Sequence, residues 1–169
     1  MKIAIIGYSG GGKSTLASKL ADAYNIPKLH LDQLQFLPDW QSRLQSEVAQ
    51  DVKIFLDNHP EWVIDGNYSF AHYDRRMAEA DQIIFLNFNR IQSLWRAVKR
   101  YQTFKGRVRD SSAPGCPEQL DWEFIYWILW KGRSRRAKQR YQELIEKYPK
   151  KVIVLKNQTD IDLFLEKLG

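Results

Sequence analysis

Between Gly7 and Thr15 the chain reads Gly-Tyr-Ser-Gly-Gly-Gly-Lys-Ser-Thr, the G-x-x-x-x-G-K-[ST] spacing of a loop that grips phosphate. Glycines at 7, 10, 11 and 12 let the backbone take positive φ and turn several N–H groups onto one anion. Lys13 can then reach the β- and γ-phosphates of a nucleoside triphosphate, and the Ser14 hydroxyl can ligate Mg²⁺. Contacts to ATP are expected through Gly7, Ser9, Gly10, Gly11, Gly12, Lys13, Ser14 and Thr15. Two acids stand where such a loop needs them. Asp32 closes the apolar stretch Ile26–Asp32 and can orient an attacking hydroxyl, take its proton, or hold a water on Mg²⁺; capping the following helix is the other role open to it. Asp65 ends the run Trp62-Val63-Ile64, the strand-end position from which a carboxylate reaches Mg²⁺.

These residues need strands and helices to place them. Lys2–Ile6 is a short apolar β-branched run of the kind buried on both faces of a parallel sheet, and a helix is expected from about Lys13 to Tyr24. That helix adds the positive end of its dipole to the loop. Further strands are predicted near 26–32, 60–68, 81–88 and 151–155, with helices between them. Such alternation implies a parallel sheet wrapped by helices, in which ligands sit beyond the carboxyl ends of the strands.

The connections carry further candidates. Residues 33–40 read as a loop and about 42–58 as a helix with Leu44, Val48, Val52 and Phe55 on one face. Together 33–60 form an insertion that can cover an acceptor, with Trp40 and Arg43 as contacts, though Trp40 suits packing equally well. A helix from Arg90 places Arg96 and Arg100 on one face. Residues 105–120 are basic and rich in Gly, Pro and Ser, as suits a lid that brings arginines to the phosphates. Asp121 is placed to cap the next helix. Trp122–Trp130 is apolar nearly all round, which predicts deep burial; a stacking site for a base is the other use for it. Arg133, Arg136 and Arg140 recur at helical spacing on one face, and 160–168 closes the chain as a helix.

The chain of 169 residues, with no linker or repeat, reads as one domain spanning 1–169. A single cysteine, Cys116, excludes an intrachain disulfide and suits a reducing compartment. No signal-peptide pattern is visible, and the longest apolar run, Phe124–Trp130, is too short to span a bilayer; the expectation is a cytoplasmic protein with no membrane partner. Thirteen of the 26 Lys and Arg lie between Arg90 and Arg140 against four acids, so this segment carries +9 and the remainder −3. A basic patch of this kind can gather nucleotide phosphates or contact nucleic acid, and a solvated helix face explains it equally.

The phosphate loop together with Leu29-His30-Leu31-Asp32, Trp62-Val63-Ile64-Asp65-Gly66-Asn67-Tyr68 and Gly115-Cys116-Pro117-Glu118 resembles the DNA topology modulation proteins, a small bacterial family of adenylate-kinase-like P-loop proteins. The resemblance covers essentially the whole chain. It implies an α/β nucleoside-monophosphate-kinase-like fold, a three-layer α/β/α with a five-stranded parallel sheet in order 2-3-1-4-5 and an arginine-bearing lid. It implies Mg²⁺ ligands at Ser14 and Asp65 and catalytic roles for Lys13, Arg100 and Arg133, with Arg96 on the adenine side of ATP and Arg136 placed like an arginine of the helix after the lid. A catalytic Asp32 is similar to the acid of small-molecule and nucleoside kinases that meets the acceptor hydroxyl. One departure matters. Where adenylate kinases carry the D-G-F-P-R arginine that holds the acceptor phosphate, this chain has Ser69, and only Arg75 or Arg76 lies near in sequence.

The functional expectation is an ATP–Mg²⁺-dependent phosphotransferase acting on a small nucleotide, nucleoside or other hydroxyl acceptor. A nucleic-acid-binding regulator switched by ATP is the alternative. It draws on the +9 segment but on no nucleic-acid-binding motif. An ATPase or phosphatase that uses water as acceptor is a weaker third.

Overall fold

The computed structural model describes residues 1–167. Strand β1 (Lys2–Gly7) is buried from Ile3 onward because it takes the centre of a five-stranded parallel sheet. It is flanked by β5 (Trp62–Asp65) and β6 (Gln82–Leu86), in registers that set Ile5 beside Asp65 and Gly7 beside Leu86. Outside β5 lies β2 (Lys28–His30), with His30 beside Asp65, and outside β6 lies β7 (Val152–Leu155). A separate two-stranded ribbon pairs β3 (Phe36–Leu37) with β4 (Gln41–Ser42). The sheet order β2-β5-β1-β6-β7, counted without the ribbon, is the expected 2-3-1-4-5.

Side chains alternate across the sheet, so β1 feeds two separate cores. Ala4 and Ile6 face Val52 and Leu56 of α3 (Gln45–Asn58), Met77 of α4 (Tyr73–Glu79) and Tyr141 and Leu144 of α7 (Arg135–Lys147). Ile3 and Ile5 face Leu16 and Leu20 of α1 (Lys13–Tyr24) and Ile161 of α8 (Gln158–Glu166). The result is three layers, helices over both faces of the sheet. Leu168, expected in the closing helix, lies outside the described residues. Among the described residues no helix is long and apolar enough to cross a membrane.

Four local expectations are corrected. Residues 33–40 are not a plain loop: α2 (Leu31–Gln35) runs straight on from β2, and the ribbon follows with a 3₁₀ turn, Pro38–Trp40, at its tip. Leu31 and Gln35, four apart, are both buried, which is what draws this mixed stretch into a helical turn. Asp32 therefore stands in the first turn of α2 rather than at a strand end. The predicted helix over 42–58 begins only at Gln45, and Leu44 is 67% exposed; the inward face is Val48, Val52 and Leu56.

The deep burial predicted for Trp122–Trp130 is the largest miss. Within α6 (Trp122–Leu129) only Ile128 is buried, while Trp122 is 84% exposed and Trp130, just past the helix, 54%. α6 packs on α5 (Arg90–Phe104) and on the 3₁₀ turn Lys131–Arg133 rather than between layers, so only one of its faces is covered. Asp121 does cap it, accepting from the Phe124 amide at 2.7 Å. Finally, Arg133 sits in that 3₁₀ turn, off the face that Arg136 and Arg140 share on α7.

Arg76 organises the loop after β5. Wholly buried, it donates from Nε to the Ala71 carbonyl at 2.8 Å, from Nη1 to Gly66 at 3.1 Å and from Nη2 to Tyr68 at 2.9 Å. Burial lowers its pKa to about 10, which leaves it charged at neutral pH. Arg76→Leu strands these carbonyls without donors, and unfolding in urea should show a stability loss of about 3 kcal/mol.

Candidate active site

The phosphate loop is held open by its glycines. Gly10 (φ +81°) and Gly12 (φ +92°) take left-handed backbone conformations, and a Cβ on either would come within 2.4 Å of another group, the Ser93 carbonyl oxygen and Arg96 Nη2 respectively. Gly11 differs from expectation: its φ is not positive, and its role is close approach to the Leu86 side chain. α1 begins at Lys13 with no side-chain cap, so its first amides remain available to a ligand. Lys13 folds back onto the loop, donating to the Gly7 carbonyl at 3.1 Å and the Tyr8 carbonyl at 3.3 Å. Burial lowers its pKa, against the opposing pull of Asp32 and Asp65.

Asp65 ties three elements together. Its Oδ2 accepts the Ser14 hydroxyl at 2.9 Å, and its Oδ1 pairs with His30 Nδ1. The far nitrogen of His30 lies 3.5 Å from the Ser18 hydroxyl on α1. The parallel register dictates this, since His30 and Asp65 are cross-strand partners. Ser14 and Asp65 thus bring a hydroxyl and a carboxylate together, the hard oxygen donors that suit Mg²⁺. Among the described residues no cluster of three or more His, Cys, Asp or Glu could hold a metal by itself. The donor set therefore fits an ion whose remaining ligands come from phosphate and water, as Mg²⁺ in nucleotide sites usually has.

The two residues after Gly66 entered the sequence reading only as part of a motif, with no role given, and both matter. Asn67 brackets Gly7, accepting from its amide at 3.1 Å and donating to its carbonyl at 2.7 Å. Tyr68 donates its hydroxyl to Asp32 Oδ1 at 2.7 Å, and burial followed by the Asp32 charge raises its pKa. Asp32 keeps its second oxygen free of protein partners among the described residues. The signal was present in Gly-Asn-Tyr following a strand, but only the pairing of β5 with β1 shows what Asn67 touches.

A cleft of about 1830 Å³ opens over the loop. Ser9, Gly10, Lys13, Ser14 and Thr15 line its floor, with Asp32, Trp40 and Tyr68 at one end and Arg96 and Arg100 on the α5 wall. Of the expected catalytic residues, Lys13, Asp32 and Arg100 therefore share one cavity. Arg133 is not among its lining residues. It is buried instead, donating to the Phe88 carbonyl at 2.8 Å, the Ser93 hydroxyl at 2.9 Å and the Ile128 carbonyl at 3.1 Å, with its guanidinium 4.0 Å from the Tyr8 ring centroid. In this structure it braces the phosphate loop from behind. Arg43 likewise turns away, bonded to Asp51 at 2.9 Å and the Leu34 carbonyl at 3.1 Å.

The 33–42 region and the 105–120 segment meet across the cleft. Trp40 donates its indole N–H to the Pro117 carbonyl, Cys116 its thiol to the Leu37 carbonyl, and Asp39 its amide to the Gly115 carbonyl, each at 3.1 Å. Beneath them Glu118, buried, accepts from Arg100 and Arg109, both at 2.6 Å. Burial lowers the Arg100 pKa, with Glu118 opposing the shift and Arg109 adding to it. Glu118 entered the sequence reading as an acid among basic residues and as the last residue of the Gly115–Glu118 motif, without a role; its placement is a tertiary result.

No family model matches the chain, and no curated protein sequence matches it. Its fold matches solved structures over nearly its whole length. A deoxyadenosine kinase from M. mycoides with bound dATP has a TM-score of 0.56 and 18% identity, covering 99% of each chain. The same kinase with dCMP and dCDP scores 0.52 at 17% identity, covering 99% of this chain and 98% of that one. A shikimate kinase from Bacteroides thetaiotaomicron scores 0.51 at 15% identity, covering 99% of this chain and 96% of that one. Likeness at these identities establishes the P-loop kinase fold.

Asn67→Ala removes both side-chain bonds to Gly7. It should cost about 2 kcal/mol, seen as a melting-temperature drop of roughly 4–8 °C for a domain of this size. Amide exchange at Gly10–Ser14 should quicken at the same time, whereas an unchanged loop would assign Asn67 no part in shaping it.

Proposed function

We propose that this protein transfers the γ-phosphoryl group of ATP to a small acceptor held beside Asp32, as a kinase. The observation that carries the reading is the meeting of Lys13, Ser14 and Asp32 in one cleft over a phosphate loop of this geometry, with buried Asp65 bonded to the Ser14 hydroxyl. The fold shared with nucleoside and shikimate kinases agrees with it. So does the motif resemblance to the DNA topology modulation proteins, taken as kinase-like proteins.

The backbone amides at the start of α1 would take up the triphosphate, and Lys13 would leave its two carbonyl partners for the β- and γ-phosphates. Ser14 and Asp65 would hold Mg²⁺, which when bound offsets phosphate charge. Tyr68 fixes Asp32 by binding one oxygen, so the other can orient the acceptor hydroxyl and take its proton. The acceptor oxygen then bonds to the γ-phosphorus while the bridging P–O bond breaks, and its electron pair leaves with ADP. Arg100, released from Glu118, and Arg96 would spread the charge that develops on the transferring group. Positioning and charge supply the rate.

Mass spectrometry of products from ATP and a panel of nucleosides, nucleoside monophosphates and small alcohols tests the reading. A phosphorylated acceptor is the expected result; ATP loss without one would mean that water is the acceptor. Lys13→Ala should lower turnover at least 10³-fold. Asp32→Asn should lower turnover about 10²-fold or more and leave ATP affinity within twofold, measured by calorimetry.

A further inference from the structure

The expected acceptor arginine is missing at Ser69, and the structure rules out both of its neighbours in sequence as replacements. Arg76 is consumed by three loop carbonyls. Arg75 is tied to Asp57 at 2.7 Å and Glu79 at 2.6 Å. On the cover side Arg43 is bound to Asp51, and on the lid side Arg100 and Arg109 share Glu118.

On α7, Arg136 and Arg140 line the cleft without an ion pair among the described residues, and of the two only Arg140 has a buried donor atom without a partner. Arg140 projects from α7 into the cavity wall and makes no ion pair among the described residues. Its Nε is buried without a hydrogen-bond partner, a costly state for a charged donor unless a ligand completes it. The acid one turn on, Glu143, is instead bound by the Gln139 amide at 2.8 Å. Two rings hold the guanidinium in place, its carbon lying 5.6 Å from the Tyr73 centroid and 5.4 Å from that of Tyr141. An Arg set between two rings is restrained for a planar, two-point grip on an oxyanion. Tyr73 opens α4, directly after the 66–72 loop, and Ser69 and Phe70 of that loop line the same cleft. Arg136, one turn earlier on α7, also lines it and adds positive charge.

We infer that Arg140 is an acceptor-recognition residue: the acceptor carries, besides the oxygen that attacks, a phosphate or carboxylate group that Arg140 grips from the α7 wall. Tyr68, Phe70, Phe36 and Trp40, which line the same cleft, offer flat apolar surface to the rest of the molecule. An anionic hydroxyl compound with a ring, such as a nucleotide or a cyclic hydroxy acid, has that shape and charge. This deepens the kinase reading and rests on it for the identity of the reaction, though not for the anion site itself.

Two measurements test it. In protein labelled with ¹⁵N-arginine and carrying Lys13→Ala to weaken the phosphate loop, the Arg140 Nε–H resonance is identified by its loss in Arg140→Gln. Titration with inorganic phosphate should shift it saturably; a resonance that does not respond overturns the proposal and leaves the kinase reading intact. In otherwise unmodified protein, kcat/KM is compared between nucleosides and their monophosphates, and between cyclic alcohols and the matching hydroxy acids. The wild type should favour the anionic member of whichever pair it phosphorylates. Arg140→Gln should cut that preference at least tenfold while changing the neutral member by less than threefold, and Arg140→Lys should recover only part of it. Equal losses for both members would make Arg140 a packing residue. Absence of transfer by the wild type to every compound would sink the kinase reading while the resonance shift still decides the anion site.

Discussion

The site depends on the Asp65 carboxylate. It stands at the carboxyl end of β5, between the centre of the sheet and its edge strand, and each of its oxygens serves a different element. One oxygen holds Ser14 at the start of α1; the other holds His30 at the end of β2. A buried carboxylate is tolerated only when such partners compensate it. The same need that keeps Asp65 satisfied therefore pins the phosphate loop, the edge strand and α1 to one another. Asn67, two residues on, extends the anchorage to Gly7. The glycine-rich loop is thus braced by the strand that carries Asp65.

Charge is allotted with similar economy. The basic segment 90–140 is not a uniform field. Arg133 is absorbed into the protein as a hydrogen-bond donor to carbonyls beneath Tyr8. Arg100 and Arg109 are held by one buried glutamate, so either can swing away while the other keeps Glu118 paired. Arg96 lies against Gly12 with its guanidinium 4.8 Å from the Phe88 ring centroid. Arg140 rests on two tyrosines and makes no ion pair among the described residues. Cations of one residue type thus divide into structural, exchangeable and free, and partners rather than sequence position decide which is which.

The two segments over the cleft behave as one cover. The ribbon tip carries two non-glycine residues, Asp39 and Trp40, at positive φ (59° each), a conformation that costs energy unless neighbours enforce it. Here they do, because both residues bond to the 115–117 backbone. Gly115 is needed for the contact, since a Cβ there would come within 2.8 Å of Pro38. The ribbon and the 105–120 segment are consequently linked through Trp40 and Pro117.

With the sheet order supplied by the family resemblance, the glycine loop before Lys13 and Ser14, the strand ending in Asp65 and the alternation of strands with helices were legible in the chain. Each is written in local spacing: glycines before a Lys-Ser pair, apolar runs ending in an acid, strands alternating with helices. Long-range pairing was not legible. That His30 meets Asp65, that Asn67 clasps Gly7 and that Tyr68 fixes Asp32 follow from strand register, which no window of neighbouring residues contains. The aromatic run at 122–130 misled for a related reason. Apolar periodicity reports what a helix could bury, whereas exposure depends on which layers close over it, and α6 lies outside both. Local sequence determined the chemistry available to this protein; tertiary packing decided which of its charged groups were left free to use it, because a charge is free only when no partner elsewhere in the fold has already claimed it.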